Sequence, residues 1–285
     1  MQIHCPTCGP DADRAAYGRR SGYDLSRCNS CGLVFLESIE KPIAEEFFRD
    51  AAGGSDASEA PDAIEYWSFP ALYDRYQTVF EGFFSERWNR LRAAHQDIRS
   101  LLDIGCGYGF FLRHVQADVA AAEGIEIDGT AAAYARQRFG LAISIKPIER
   151  YTTPEPLDCL VMCDVLEHLR EPDVVLRRCR DMLAPGGILF LQVPNHVGFR
   201  LPRGHSWGLP HHIWQFNPKS LRRLVESCGL LPEDCYTGVL GVIGAYERGG
   251  PTLRERLVWF VARKLGLGNR LMLIARKPVS AIANG

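Results

Sequence analysis

Four of the ten cysteines in this 285-residue chain fall into two close pairs, Cys5-Pro6-Thr7-Cys8-Gly9 and Cys28-Asn29-Ser30-Cys31-Gly32. Two C-x2-C knuckles separated by nineteen residues can bring four thiolates into one tetrahedron around zinc. A segment this short has too little core to fold without such a staple. Four protein ligands close the coordination sphere, so the expected metal is structural and not a Lewis acid. Four unrelated thiols, or two disulfides, are the competing readings. The remaining cysteines, Cys106, Cys159, Cys163, Cys179, Cys228 and Cys235, are scattered and read as small buried hydrophobes.

A second chemical signal is Leu101-Leu102-Asp103-Ile104-Gly105-Cys106-Gly107-Tyr108-Gly109. A short apolar run enters a glycine loop, and a helix over about Phe110 to Gln116 follows with its N-terminal amides aimed at whatever lies over the loop. The spacing is G-x-G-x-G and not the G-x-G-x-x-G of a dinucleotide site. Preceded by Asp103, it resembles motif I of the class I S-adenosylmethionine-dependent methyltransferases. The resemblance implies a cofactor bordered by Asp103, Gly105, Cys106 and Gly107. Glu126, at the end of the next predicted strand, would then bind the ribose hydroxyls, with Ile127 beside it and Asp128 a weaker neighbour. Ile148 and Glu149, after a third strand at Ala142 to Lys146, would lie near the adenine.

The fourth predicted strand, Leu157 to Met162, runs into Cys163-Asp164-Val165-Leu166-Glu167-His168-Leu169. This tail resembles the D-V-L-E-H segment of a subgroup with small-molecule substrates, related to quinone- and sugar-methylating enzymes. It places Cys163 and Asp164 at the cofactor and His168 on the rim where acceptors bind. The Asn or Asp, Pro-Pro, aromatic element of many amine-methylating relatives is absent. Ala184-Pro185-Gly186-Gly187 is expected to stop a helix, with a left-handed Gly, ahead of a fifth strand at Ile188 to Val193. Asn217-Pro218 should open a helix to about Cys228, ended by Gly229. Further strands are predicted near Asp234 to Val239 and at Arg270 to Ala275. In the resembling family the connection holding Trp207 to Phe216 covers the substrate. His211 and His212 beside Trp207 and Trp214 therefore read as an aromatic substrate wall, and His212 joins His168 as a candidate catalytic base. No full set of ligands for a catalytic metal is apparent in this domain.

Strands alternating with helices predict an α/β fold, a doubly wound, mostly parallel seven-stranded sheet; the resemblance implies that it is of Rossmann-like methyltransferase type, and the cysteine pairs add a small N-terminal zinc module. The expected organisation is a zinc-ribbon-like module over 1–40, a linker and helical lead-in over 41–95, and a methyltransferase domain over 96–278 with a helical insertion at 251–268. Asp50 to Pro61 reads as a linker. Aromatic and apolar residues from Phe69 to Leu91 recur at helical spacing and should bury against the sheet, with Tyr66-Trp67 as part of a lid. The insertion alternates apolar residues with Arg and Lys. Packing on its own domain is the favoured reading, peripheral membrane contact the other.

The net charge of −1 is no nucleic-acid footprint. With neither a signal peptide nor an apolar run long enough to span a bilayer in view, a reducing cytoplasm is the expected location. The leading reading is methyl transfer from S-adenosylmethionine to a small-molecule acceptor, at oxygen or carbon. A zinc-ribbon RNA methyltransferase and a non-catalytic S-adenosylmethionine-binding protein are the alternatives.

Overall fold

The two cysteine pairs close the same kind of turn. In the computed structural model, which describes residues 2–39, 69–198, 207–239 and 250–279, Gly9 N donates to Cys5 O and Gly32 N to Cys28 O, both at 2.9 Å. Both glycines take a positive φ, 82° and 78°, which strains any residue carrying a Cβ. Strand β1 (Arg14–Arg20) and strand β2 (Tyr23–Cys28) form a hairpin, and β3 (Val34–Leu36) pairs antiparallel with β2. β1 is largely exposed, whereas all three residues of β3 are buried.

The chain forms two compact units, residues 42–152 and residues 1–41 with 153–285. In the former, the aromatic stripe is not one helix but two, α1 (Phe69–Arg75) and α2 (Gln77–Ala94). After β4 (Ser100–Ile104) and the glycine loop comes α3 (Phe110–Val115). Tyr73, Phe84, Trp88 and Leu91 are buried as expected, but the ring contacts run to a helix and not only to a sheet. Tyr73 stacks on Phe110 with centroids 3.8 Å apart, and Phe84 meets Phe111 edge-on at 5.9 Å. β5 (Ala121–Ile125), α4 (Gly129–Phe139) and β6 (Ala142–Ser144) complete the alternation. β5 pairs in parallel with β4 on one side and β6 on the other. Leu101, Leu102 and Ile104 are almost wholly buried, as a strand covered on both faces requires.

Residues 153–285 contribute β7 (Leu157–Cys163), α5 (Pro172–Met182), β8 (Leu183–Pro194), β9 (Trp214–Gln215), α6 (Pro218–Ser227), β10 (Leu231–Gly238), α7 (Leu253–Lys264) and β11 (Arg270–Arg276). The predicted glycine stop after α5 is not what ends that helix. Leu183 is already extended, and Ala184 to Gly187 lie inside β8. Their amides have a strand partner: Gly186 N donates to Lys277 O and Lys277 N to Gly187 O. The larger sheet has the order β10-β11-β8-β7-β4-β5-β6, with β11 antiparallel to β8 and β10. It is the α/β, mostly parallel, seven-stranded sheet that the alternating pattern predicts.

A four-stranded sheet, β1-β2-β3-β9, takes its last strand from far along the chain. Val34 pairs with Gln215 and Phe35 with Trp214. The start of α6 adds to this join. Asn217 accepts from Ser220 N at 3.0 Å as N-cap, and its Nδ2 donates to Gly32 O, also at 3.0 Å. Arg223 donates to Ser30 O. Helix α7 departs from expectation: only Ala262 along it is buried, and its apolar stripe faces solvent. The linker at 50–61 and the Tyr66-Trp67 lid fall outside the described residues. Among the described residues, no helix is long and apolar enough to cross a membrane.

The double use of Asn217 is separable by mutation. Asn217→Asp keeps the cap acceptor but cannot donate to Gly32 O, and should cost about 1 kcal/mol. Asn217→Ala loses both roles and should cost about 2 kcal/mol or more, measured as the shift in urea unfolding free energy.

Candidate functional site

All three glycines of the loop have positive φ: 70° at Gly105, 53° at Gly107 and 77° at Gly109. The G-x-G-x-G spacing is therefore a backbone requirement. At Gly109 there is also no room, since a Cβ would lie 2.6 Å from Leu141 Cδ1 and 2.9 Å from Ala135 Cβ. The loop is held by Glu126, which sits just past the end of β5 and is 5% exposed. Its carboxylate accepts from Gly107 N at 2.7 Å, Ile127 N at 2.8 Å and Asp128 N at 2.9 Å. Burial raises its pKa, and the three amide bonds oppose that rise.

The structure sorts the other expected cofactor residues by what their side chains already do. Asp103 is buried, and desolvation lifts its carboxyl to about 7 against the pull of Arg87. Cys106 is half-buried, and burial pushes its thiol upward, so it offers no thiolate. Asp128 caps α4 through Oδ1, which accepts from Thr130 N at 2.8 Å, while its buried Oδ2 has no hydrogen-bond partner among the described residues. Ile127 is 40% exposed, Ile148 is buried in a short 3-10 turn, and Glu149 on that turn is exposed.

In the other unit, Asp164 follows half-buried Cys163 and is the feature of the rim least visible in sequence. Its φ of 53° places a non-glycine residue in the left-handed region. Two contacts hold it there: Gln192 Nε2 donates to Oδ2 at 2.7 Å, and Arg270 Nε lies 3.0 Å from Oδ1. Gln192 reaches the rim from β8, the strand beside β7, and Arg270 from β11, one strand further out, placements that no motif spacing reports.

Glu167, His168 and His212 come together. Glu167 is fully buried, and neither carboxylate oxygen has a hydrogen-bond partner among the described residues. Desolvation, with Asp164 adding to it, holds its carboxyl well above the usual carboxylate range. His168 Nδ1 lies 3.0 Å from His211 O; a carbonyl can only accept, so Nδ1 carries the proton and Nε2 presents its lone pair. That Nε2 is 4.0 Å from Glu167 Oε1, and the ring of His212 stands edge-on to His168 with centroids 4.7 Å apart. About a third of the His168 side chain still meets solvent, yet burial lowers its pKa to about 4. One ligand atom from each of Glu167, His168 and His212 lies within 4.8 Å of the others, a grouping that the sequence spacing does not show.

The two tryptophans expected beside His211 and His212 have different surroundings. Trp214 is buried in β9, donates Nε1 to Leu169 O at 2.6 Å and packs on Phe35, so it is a strut. Trp207 instead gathers Tyr17, His196 and Arg20, with Tyr17 OH 3.1 Å from His196 Nε2 and the guanidinium 5.6 Å from the indole centroid. At the N-terminal knuckles the ligand atoms of Cys5, Cys8, Cys28 and Cys31 lie within 4.8 Å of one another, and all four are free cysteines. Cys5 and Cys31 Sγ are 3.5 Å apart. Hydrogen bonding from Cys5 brings the Cys31 thiol down to about 5, while burial pushes Cys8 up to about 11. The donor set and its compactness fit a tetrahedral zinc.

A family model described as a methyltransferase domain matches residues 73–232. The chain belongs to the methyltransferase domain family. Among curated methyltransferases, it is 31% identical over 160 residues to a ubiquinone biosynthesis O-methyltransferase of Dinoroseobacter shibae, a match covering 47% of this chain and 60% of that protein. It is 30% identical over 174 residues to a probable S-adenosylmethionine-dependent methyltransferase of Mycolicibacterium smegmatis, covering 59% and 61%. The chain thus spans about 60% of the length of these relatives. Among solved structures, the N-methyltransferase NodS of Bradyrhizobium japonicum in complex with S-adenosyl-L-homocysteine aligns with a TM-score of 0.50 at 17% identity, over 84% of this chain and all of that one. The [4+2]-cyclase SpnF aligns at 0.52 and 18%, over 84% and 94%. These likenesses establish the methyltransferase-domain fold, and SpnF illustrates that the fold alone does not fix the reaction.

His168 should remain neutral with Nδ1 protonated from about pH 8 down to about pH 5, read from its imidazole nitrogen shifts by NMR. The folded ring refuses a proton that the unfolded chain accepts below its ordinary pKa near 6.5. Its contribution to stability is therefore intact above about pH 6.5 and is lost as pH falls toward 4, and His168→Gln should flatten that segment of the stability profile.

Proposed function

We infer that the chain transfers the methyl group of S-adenosylmethionine to a small-molecule acceptor at oxygen or carbon. The observation that carries this is the Glu126 carboxylate locked to the glycine loop through Gly107 N. A buried acid so placed offers ribose hydroxyls a charge-assisted acceptor, and the left-handed glycines leave backbone open to the rest of the cofactor. Asp103, Gly105, Cys106, Gly107, Glu126, Ile127, Ile148, Glu149, Cys163 and Asp164 are the proposed cofactor residues. The relatives named for ubiquinone biosynthesis support a small-molecule acceptor.

The sulfonium methyl is already activated, so the protein's task is to align acceptor and methyl, exclude water and take a proton from the acceptor. His168 is assigned as the base. Its Nδ1–H is fixed by His211 O, and its Nε2 is free of the proton at neutral pH and can take the one that the acceptor gives up. His212 flanks it. The same trio supports a second reading, a divalent cation held by Glu167, His168 and His212 that lowers the acceptor hydroxyl's pKa. Turnover abolished by chelation and restored by added magnesium or manganese would favour that reading over the base alone.

Structural zinc on Cys5, Cys8, Cys28 and Cys31 is the role proposed for the N-terminal module. Residues 1–40 hold Arg14, Arg19, Arg20 and Arg27 against Asp11, Asp13, Asp24, Glu37 and Glu40, which argues against an RNA-binding face.

Two measurements test these assignments. Calorimetry should detect S-adenosylmethionine and S-adenosylhomocysteine binding, weakened by at least about tenfold in Glu126→Ala; equal affinity in the variant removes the ribose assignment. Elemental analysis should return one zinc per chain, lost in Cys28→Ser, and a metal-free folded protein would remove the zinc assignment.

A further inference from the structure

Thirteen large hydrophobic side chains are exposed among the described residues, and six of them fall within 253–265. Leu253, Leu257, Val258, Phe260, Val261 and Leu265 are 85%, 62%, 41%, 58%, 42% and 65% exposed. At helical periodicity these six share one arc of about 160°. Buried Ala262 lies on the side of α7 away from that arc, as do half-buried Glu255 and Trp259. Such a cluster is a patch and not the scatter of apolar residues normal on a surface.

The charges in the α7 sequence are mostly of one sign. It carries four cations, Arg254, Arg256, Arg263 and Lys264, and one acid, Glu255, whose carboxylate takes part in the helix cap, accepting from Thr252 N at 2.8 Å and paired with Thr252 Oγ1 at 2.9 Å. The rest of the chain is not basic, since the whole carries a net charge of −1. Arg254 and Lys264 fall within the apolar arc near its two ends, and Arg256 and Arg263 fall along one border. Lys264 lays its stem along the stripe, with Nζ 5.7 Å from the Phe260 ring centroid.

We propose that α7 lies on an anionic lipid surface, its apolar arc at the boundary of headgroups and acyl chains and its four cations among the phosphates. Twelve residues make a helix of about 18 Å, too short to cross a bilayer and suited to lying in its plane. The charge pattern selects lipid over a second copy of the chain, because two such faces would bring eight cations together. It selects a plane of headgroups over a protein groove because cations stand inside and beside the stripe, where long side chains can reach outward to phosphate while their stems stay on the apolar surface.

Co-sedimentation of the full chain with vesicles tests this. Binding is expected to phosphatidylcholine vesicles containing about 30 mol% phosphatidylglycerol, weakened at high salt and at least tenfold weaker to phosphatidylcholine alone. Leu257→Glu with Phe260→Glu should abolish binding, and Arg256→Gln with Arg263→Gln should weaken it by roughly tenfold. Both variants should keep the wild-type melting temperature, the substitutions being on an exposed face. Failure to bind the phosphatidylglycerol vesicles, or undiminished binding by the Leu257/Phe260 variant, overturns the proposal. So does light scattering that shows self-association lost in that variant, or equally tight binding to polyglutamate, which would give the face to a second copy or to an acidic protein.

Discussion

A desolvated carboxylate needs donors, and a glycine loop with open backbone needs acceptors; at Glu126 each requirement meets the other. Its oxygens take the amides of Gly107, Ile127 and Asp128, so the end of β5, the start of α4 and the glycine loop are fixed by one side chain. Replacing it with an apolar residue would leave several amides without that acceptor, a cost of about 1–3 kcal/mol for each one buried and unpaired. The raised pKa of Asp103, just ahead of the loop, follows from the same burial.

Features governed by local chain chemistry were legible in the sequence. The glycine spacing, the Asn-Pro start of α6 and each cysteine knuckle depend on residues within a few positions of one another, and the acid after the next strand lies only nineteen positions beyond the glycine it holds. Features governed by distant partners were not. Trp214 reads as a substrate wall until β3, some 180 residues earlier, is seen to pair with it. Ala184 to Gly187 reads as a helix stop until Lys277 supplies a strand partner. The periodicity of α7 was visible, but an apolar stripe looks the same whether it faces a core or solvent.

The rim formed by Asp164 to His168 concentrates uncommon states in five residues. Asp164 occupies a left-handed conformation that costs on the order of 1 kcal/mol or more, offset by its contacts with Gln192 and Arg270. Beside it, Glu167 and His168 are both driven toward their uncharged forms by the same burial. A neutral acid next to a neutral imidazole carries no net charge, so a proton arriving on the imidazole is balanced only when the acid gives up its own. None of this could be inferred from the D-V-L-E-H letters alone.

The pairing of β3 with β9 also has a history in time. A ribosome releases Val34 to Leu36 long before Trp214 and Gln215, so the N-terminal sheet spends most of synthesis with an open edge and its buried residues uncovered. During that interval its chief local constraint is the set of four thiols, which can be drawn together before any later strand exists. Zinc on those thiols, as proposed above, would then act early, as a kinetic guard for a nascent edge that only the last third of the chain can cover.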